Sequence, residues 1–214
     1  THFYDSRLIA TPFHNSQSLT YCYLPDGRYI HRKNEEESKS LVTYMLTYLE
    51  QWKDKSIGII CFSIQQKESI EDRLEKELEY MPHLEKLLEL QKKKSEYFFI
   101  KNIENVQGDE RDIILISLGY GRNESDRIYH FFGPILHAQG ENRLNVLMSR
   151  AKEKMILWTS MRSHDIKLYP SSSRGLHLLK TLLSFWENSS TSYYPPSRRI
   201  PNNYWDYFLN PFRK

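Results

Sequence analysis

Residues 97–158 restrict what this chain can fold into more than any other stretch. The first half, YFFIKNIENVQGDERDIILISLGYG, has two apolar runs parted by the polar insert NVQGDER. The second half, GENRLNVLMSRAKEKMILW, has a short helical pattern and then the apolar run Met155 to Trp158. Apolar runs of this length beside polar turns read as strands buried on both faces, the mark of a parallel sheet covered by helices. The polar insert before one strand and the arginine-bearing helix before the next are then the candidate functional surfaces.

Outside this stretch, SIGIICFS (56–63) predicts another buried strand, and LTYCYL (19–24) alternates weakly. Leu41, Met45, Leu49 and Trp52 recur at helical spacing and predict a helix over 35–53, with three glutamates at its positive end. SIQQKESIEDRLEKELEY predicts a long helix ending near Met81-Pro82, and HLEKLLELQKKK a further one. A strand is expected over Ile128 to Phe132, a helix over 142–152 and a last apolar helix over 176–186. The expected core strands lie near 57–62, 97–101, 113–118 and 155–160, and ligands are expected at their carboxyl ends.

Apolar content of 39% and charged content of 27% mark a globular chain, and a net charge of +3 does not by itself argue for nucleic acid. Cys22 and Cys61 lack metal-ligand spacing and read as buried thiols of a reduced compartment. No apolar run approaches the ~20 residues of a membrane span. The absence of a starting Met leads us to expect a piece of something longer. His164-Asp165 reads as loop chemistry, since no nucleophile lies near it in sequence.

Several residues carry candidate chemistry. Gly108 lets the backbone turn or approach a ligand closely, Gln107 offers an amide, and Glu110 offers a carboxylate suited to a ribose hydroxyl. The competing account of these is a solvated turn. Arg143 and Arg150, seven residues apart, would share one face of a helix and suit a grip on phosphate oxygens; the plain alternative is surface salt bridging. Asn34 is a natural helix N-cap, and Ser63 with Gln66 fits a capping box.

The insert VQGDERDIILIS resembles motif V of superfamily 1 helicases, and ENRLNVLMSRAK resembles motif VI. The branch is that of the nonsense-decay RNA helicase and the replication helicase-nuclease, whose usual forms are FQGREKDVIILS and RRLNVALTRAK. Large bacterial proteins of that branch, with NLENVQGDERD, are more similar still. The resemblance implies a second RecA-like motor domain over residues 1–188, with 189–214 as a Pro/Tyr/Ser-rich tail or linker. The fold it implies is an α/β three-layer sandwich with a mostly parallel sheet, like that of phosphate-loop NTPases but without the loop. Around HFYDSRLIATP, Tyr4 and Leu8 resemble the family's lead-in to this domain, though an ordinary packed loop accounts for them as well.

By the same resemblance Arg150 falls on the arginine finger and Arg143 on the second motif VI arginine, while Asn142 and Ser149 replace the family's Arg and Thr. Glu110 falls on the motif V acid and Gln107 on its glutamine. Gln66 falls on the motif IV glutamine that lies near adenine, but Cys61-Phe62-Ser63 replaces the Thr-Pro-Tyr beside it, so the family's tyrosine stacking does not carry over. Asn34 and Glu37 match an N-x-x-E signature. The cofactors implied are ATP and Mg2+, bound only together with a first RecA-like domain, because no G-x-x-x-x-G-K-[ST] occurs in the sequence. The partners implied are that domain and single-stranded nucleic acid, DNA ahead of RNA, in a bacterial cytoplasm and without a membrane. The isolated chain is expected to be inactive. From a different class, a RecA-like interaction module without ATPase function would not need Arg143, Gln107 and Glu110 together. A nuclease would need a D…E-x-K cluster on a strand, which the sequence lacks.

Overall fold

The computed structural model describes residues 19–93, 98–128, 131–189 and 191–193. The lead-in with Tyr4 and Leu8, and the tail beyond 193, lie outside them.

Six strands form one sheet: β1 (Leu19–Tyr23), β2 (Ile57–Cys61), β3 (Phe99–Asn102), β4 (Arg111–Ser117), β5 (Ala151–Thr159) and β6 (Thr191–Tyr193). Their order is β3-β2-β4-β5-β1-β6, and every pairing is parallel. Each expected core strand is present. β1 and β2, consecutive in the chain, are separated in the sheet by β4 and β5. The helix between them, α1 (Glu35–Tyr48), bridges that gap.

Alternation along the strands builds two cores, because successive side chains leave opposite faces. Ile57, Ile59, Ile113, Leu115, Ile156 and Trp158 face α1, α2 (Ile64–Leu78) and α3 (Pro82–Lys92). Ile60, Ile114, Ile116, Met155 and Leu157 face α4 (Gly140–Met148) and α5 (Arg174–Ser189). β4 is buried on both sides, which explains why its sequence is a continuous apolar run rather than an alternating one. Truncating a residue there, such as Leu115 to Ala, would cost about 2–5 kcal/mol. Both cysteines are buried and free.

Three expectations need correction. The motif VI helix stops at Met148 rather than at 152, because Ala151 pairs with Arg111 and opens β5. Sheet pairing there outweighs the helical preference of Arg-Ala-Lys. No strand forms over the described part of 128–132: Ile128 makes one isolated antiparallel bridge to Arg122, and Phe132 turns inward against Tyr120 at 5.2 Å, edge to face. Gly133-Pro134 then opens a 3-10 turn, which an extended strand could not enter. The sheet also reaches past residue 188, since β6 pairs with β1 through Thr20 and Thr191.

Candidate active site

Glu110 and Arg150 meet at the amino edge of the sheet, not at the carboxyl ends of the strands where the sequence leads one to expect ligands. Glu110 immediately precedes β4, and Arg150 immediately precedes β5. The N–H of Arg111 donates to the carbonyl oxygen of Arg150 at 3.0 Å, which joins the two strand starts. Arg111 itself is buried. Its Nη1 donates to the Glu110 carbonyl at 2.7 Å, and its guanidinium lies 4.8 Å from the centre of the Phe99 ring. Asp109 is held by Lys101 at 2.7 Å. The insert is thus pinned through Asp109 and Arg111, while Gln107 and Glu110 remain exposed. Gly108 sits at φ 85° with open space beside it, so its turn requires the left-handed region that glycine adopts freely.

Arg150 is half-buried, and its Nε donates to the Val146 carbonyl at 3.0 Å. One terminal nitrogen donates to Ser149 Oγ at 2.9 Å. The guanidinium is therefore oriented by its own turn and has no carboxylate partner among the described residues. Arg143 differs. Its Nη1 donates to the carbonyls of Pro134 and Ala138, and its Nη2 lies 3.4 Å from Glu104. It ties the loop ahead of α4 to the turn after β3. The single helical face expected for the two arginines is not formed, since Arg150 lies beyond the end of α4.

At the opposite, carboxyl edge the structure builds a buried polar hub. Glu37 is fully buried and accepts from Ser117 Oγ (2.7 Å), the Gly119 N–H (2.7 Å), the Ser160 N–H (3.0 Å) and Asn34 Nδ2 (3.2 Å). Burial pushes its carboxyl up to about 7, against the pull of those donors. Asn34 caps α1, its Oδ1 accepting from the Glu37 N–H. Gln66 accepts from the Asn34 N–H at 2.7 Å and donates to the Asn34 carbonyl, Ser38 Oγ and Ser117 Oγ. Gly119, at φ 75°, packs so closely on Gln66 that a Cβ there would stand 2.9 Å from its Cγ.

Two of the expected site residues lie inside the hub. Gln66 and Asn34 are fully buried, and the Gln66 amide is fully engaged within the chain, so neither presents a surface to a nucleotide. The Ser63 cap is present, with its hydroxyl accepting from the Gln66 N–H. Sequence reasoning placed Glu37 in a signature but missed its role, and it missed Ser117 and Ser160. The one signal was Glu37 itself, a carboxylate at N3 of a capped helix that faces inward instead of closing a capping box. Asp165 is taken up by Arg122 at 2.8 Å and the Arg162 N–H at 2.9 Å, as loop chemistry predicts.

A family model described as an AAA domain matches residues 3–162. The chain belongs to that AAA-domain family. It is 39% identical over 190 residues to an uncharacterized ATP-dependent helicase of Mycoplasma genitalium, a match covering 86% of this chain and 16% of the relative. It is 40% identical over 166 residues to the homolog of that helicase in Mycoplasma pneumoniae, covering 76% of this chain and 14% of the relative. The chain thus spans about a sixth of the length of the curated relatives it matches. With the all-parallel sheet, these matches make it a RecA-like motor domain of the superfamily 1 helicase type. Gln107 to Glu110, Arg143 and Arg150 all fall inside the segment matched to the AAA-domain family.

Among the described residues no group of three or more His, Cys, Asp or Glu side chains could hold a metal, and no helix is long and apolar enough to cross a membrane. For a nucleotide, the AAA domain offers an exposed carboxylate, an exposed amide and an oriented guanidinium with spare donors, a set that fits a ribose and a phosphate group.

Proposed function

We propose that this chain is the second motor domain of an ATP-dependent helicase that moves along single-stranded nucleic acid, DNA ahead of RNA. The observation that carries this reading is the junction at the amino edge, where Glu110 and the half-buried guanidinium of Arg150 flank paired strand starts. Bound ATP with Mg2+ would supply the phosphoryl-transfer chemistry, the metal being held by the first RecA-like domain.

Glu110 would accept a hydrogen bond from a ribose hydroxyl, the Gln107 amide would donate or accept beside it, and the Gly108 turn would let the backbone come close. Arg150 would set its planar fork against charge on the transferred phosphoryl group, already oriented by Val146 and Ser149. Arg143 would support it by fixing the loop that leads into α4. Asn34 and Gln66 act as positioning residues within the hub rather than as nucleotide contacts.

A domain with this half-site alone lacks the phosphate loop, which provides much of the triphosphate grip. The test compares the isolated chain with a protein joining it to a first RecA-like domain. The isolated chain should show no ATP hydrolysis, and the joined protein should hydrolyse ATP faster when single-stranded DNA is added. Turnover by the isolated chain, or a joined protein indifferent to nucleic acid, would contradict the proposal.

A further inference from the structure

On the face of the molecule that carries α2 and α3, those helices and the edge strand β3 enclose an open groove of about 510 Å³. Its floor is apolar, formed by Leu74, Leu78, Leu88, Phe98 and Ile100. Its walls are acidic. Glu71, Glu75 and Glu79 repeat every four residues along α2 and its C-cap, and Glu85 and Glu89 do the same on α3, against the single cation Lys92. Lys67 pairs with Glu71, whereas Glu75, Glu79, Glu85 and Glu89 are exposed. Among the described residues β3 pairs only with β2, and none of them takes up the backbone along its other edge. The lysine of β3, Lys101, does not neutralise the rim, because it is paired with Asp109.

Each feature alone is common on protein surfaces; their coincidence selects one occupant. An open strand edge takes an extended peptide by main-chain hydrogen bonds, an apolar floor takes alternate side chains, and acidic walls take basic ones. The same walls repel phosphate, which separates this groove from any nucleic-acid track. We propose that the β3 edge is a docking site for an extended protein segment in which basic and aliphatic residues alternate, added to the sheet beside β3.

The probe is a short fluorescein-labelled, end-capped peptide of alternating lysine and valine, titrated with the full chain and followed by fluorescence anisotropy. Saturable binding that weakens with salt is expected, with no binding of the matching glutamate–valine peptide. The variant Glu75→Lys/Glu89→Lys, checked for native circular dichroism, should bind about tenfold more weakly. Alternate N-methylation of the peptide backbone should abolish binding to the unaltered chain, a readout that does not depend on the variant folding. The proposal is overturned by either of two results: no binding at roughly 1 mM peptide, or undiminished binding of the N-methylated peptide.

Discussion

The Arg111 N–H and the Arg150 carbonyl oxygen lie 3.0 Å apart across the first rung of the β4–β5 ladder. Through that rung, the residue after the motif V acid and the motif VI arginine report on each other's position.

Arg111 is buried against Phe99 and holds the Glu110 carbonyl, so Arg111→Ala removes packing and a charge-assisted bond together. The expected loss is about 1–3 kcal/mol of stability, read by urea unfolding followed by circular dichroism. A variant as stable as the parent would show that the insert is not pinned through Arg111.

Glu37 gives a pH signature. Burial raises its carboxyl from an ordinary carboxylate value to about 7 in the folded protein. Between those values the folded state binds the extra proton, so stability falls as pH rises. The contribution is fully present below the unfolded carboxylate value, ~4.5, and is lost as pH passes through about 7. Unfolding free energies measured across this window should decline for the parent relative to Glu37→Gln, which cannot titrate. A difference that stays flat or grows with pH would refute the burial argument.

The parallel sheet was legible because β2 and β4 are apolar runs that only a doubly covered strand explains, and α1 because Leu41, Met45 and Leu49 keep helical spacing. What misled was competition between local preference and pairing. Arg-Ala-Lys reads as helix, but the rung between Arg111 and Ala151 takes Ala151 into β5. The residues 128–132 look like a strand because they are aromatic, yet Phe132 earns its burial by packing on Tyr120. That Glu110 stands just ahead of a strand was legible from the apolar run beginning at Ile113, whereas the place of Arg150 was not, since β5 opens with Ala-Lys-Glu-Lys, which reads as helix. Nor was the hub legible, since Glu37, Ser117 and Ser160 are far apart in sequence and meet only where α1 crosses the ends of β4 and β5.

Glu110 is exposed at the amino edge, and a ribose contact is made equally in the ground and transition states. In a protein with both motor domains, Glu110→Ala should therefore raise KM for ATP more than it lowers kcat. Steady-state ATP hydrolysis over a range of ATP concentrations separates the two. A fall in kcat at constant KM would assign Glu110 to the chemical step instead.

The central claim rests on Arg150. Its guanidinium is pre-oriented by Val146 and Ser149, and a finger acts mainly on charge that develops in the transition state. The direct measurement is single-strand-stimulated ATP hydrolysis by the two-domain protein carrying Arg150→Ala, with fluorescent-nucleotide binding measured alongside. Turnover should fall by about 10³ to 10⁵ while nucleotide affinity changes little. Arg150→Lys should be nearly as damaging, because a point charge on a flexible stem does not reproduce the planar fork. A kcat near that of the parent for Arg150→Ala would contradict the account.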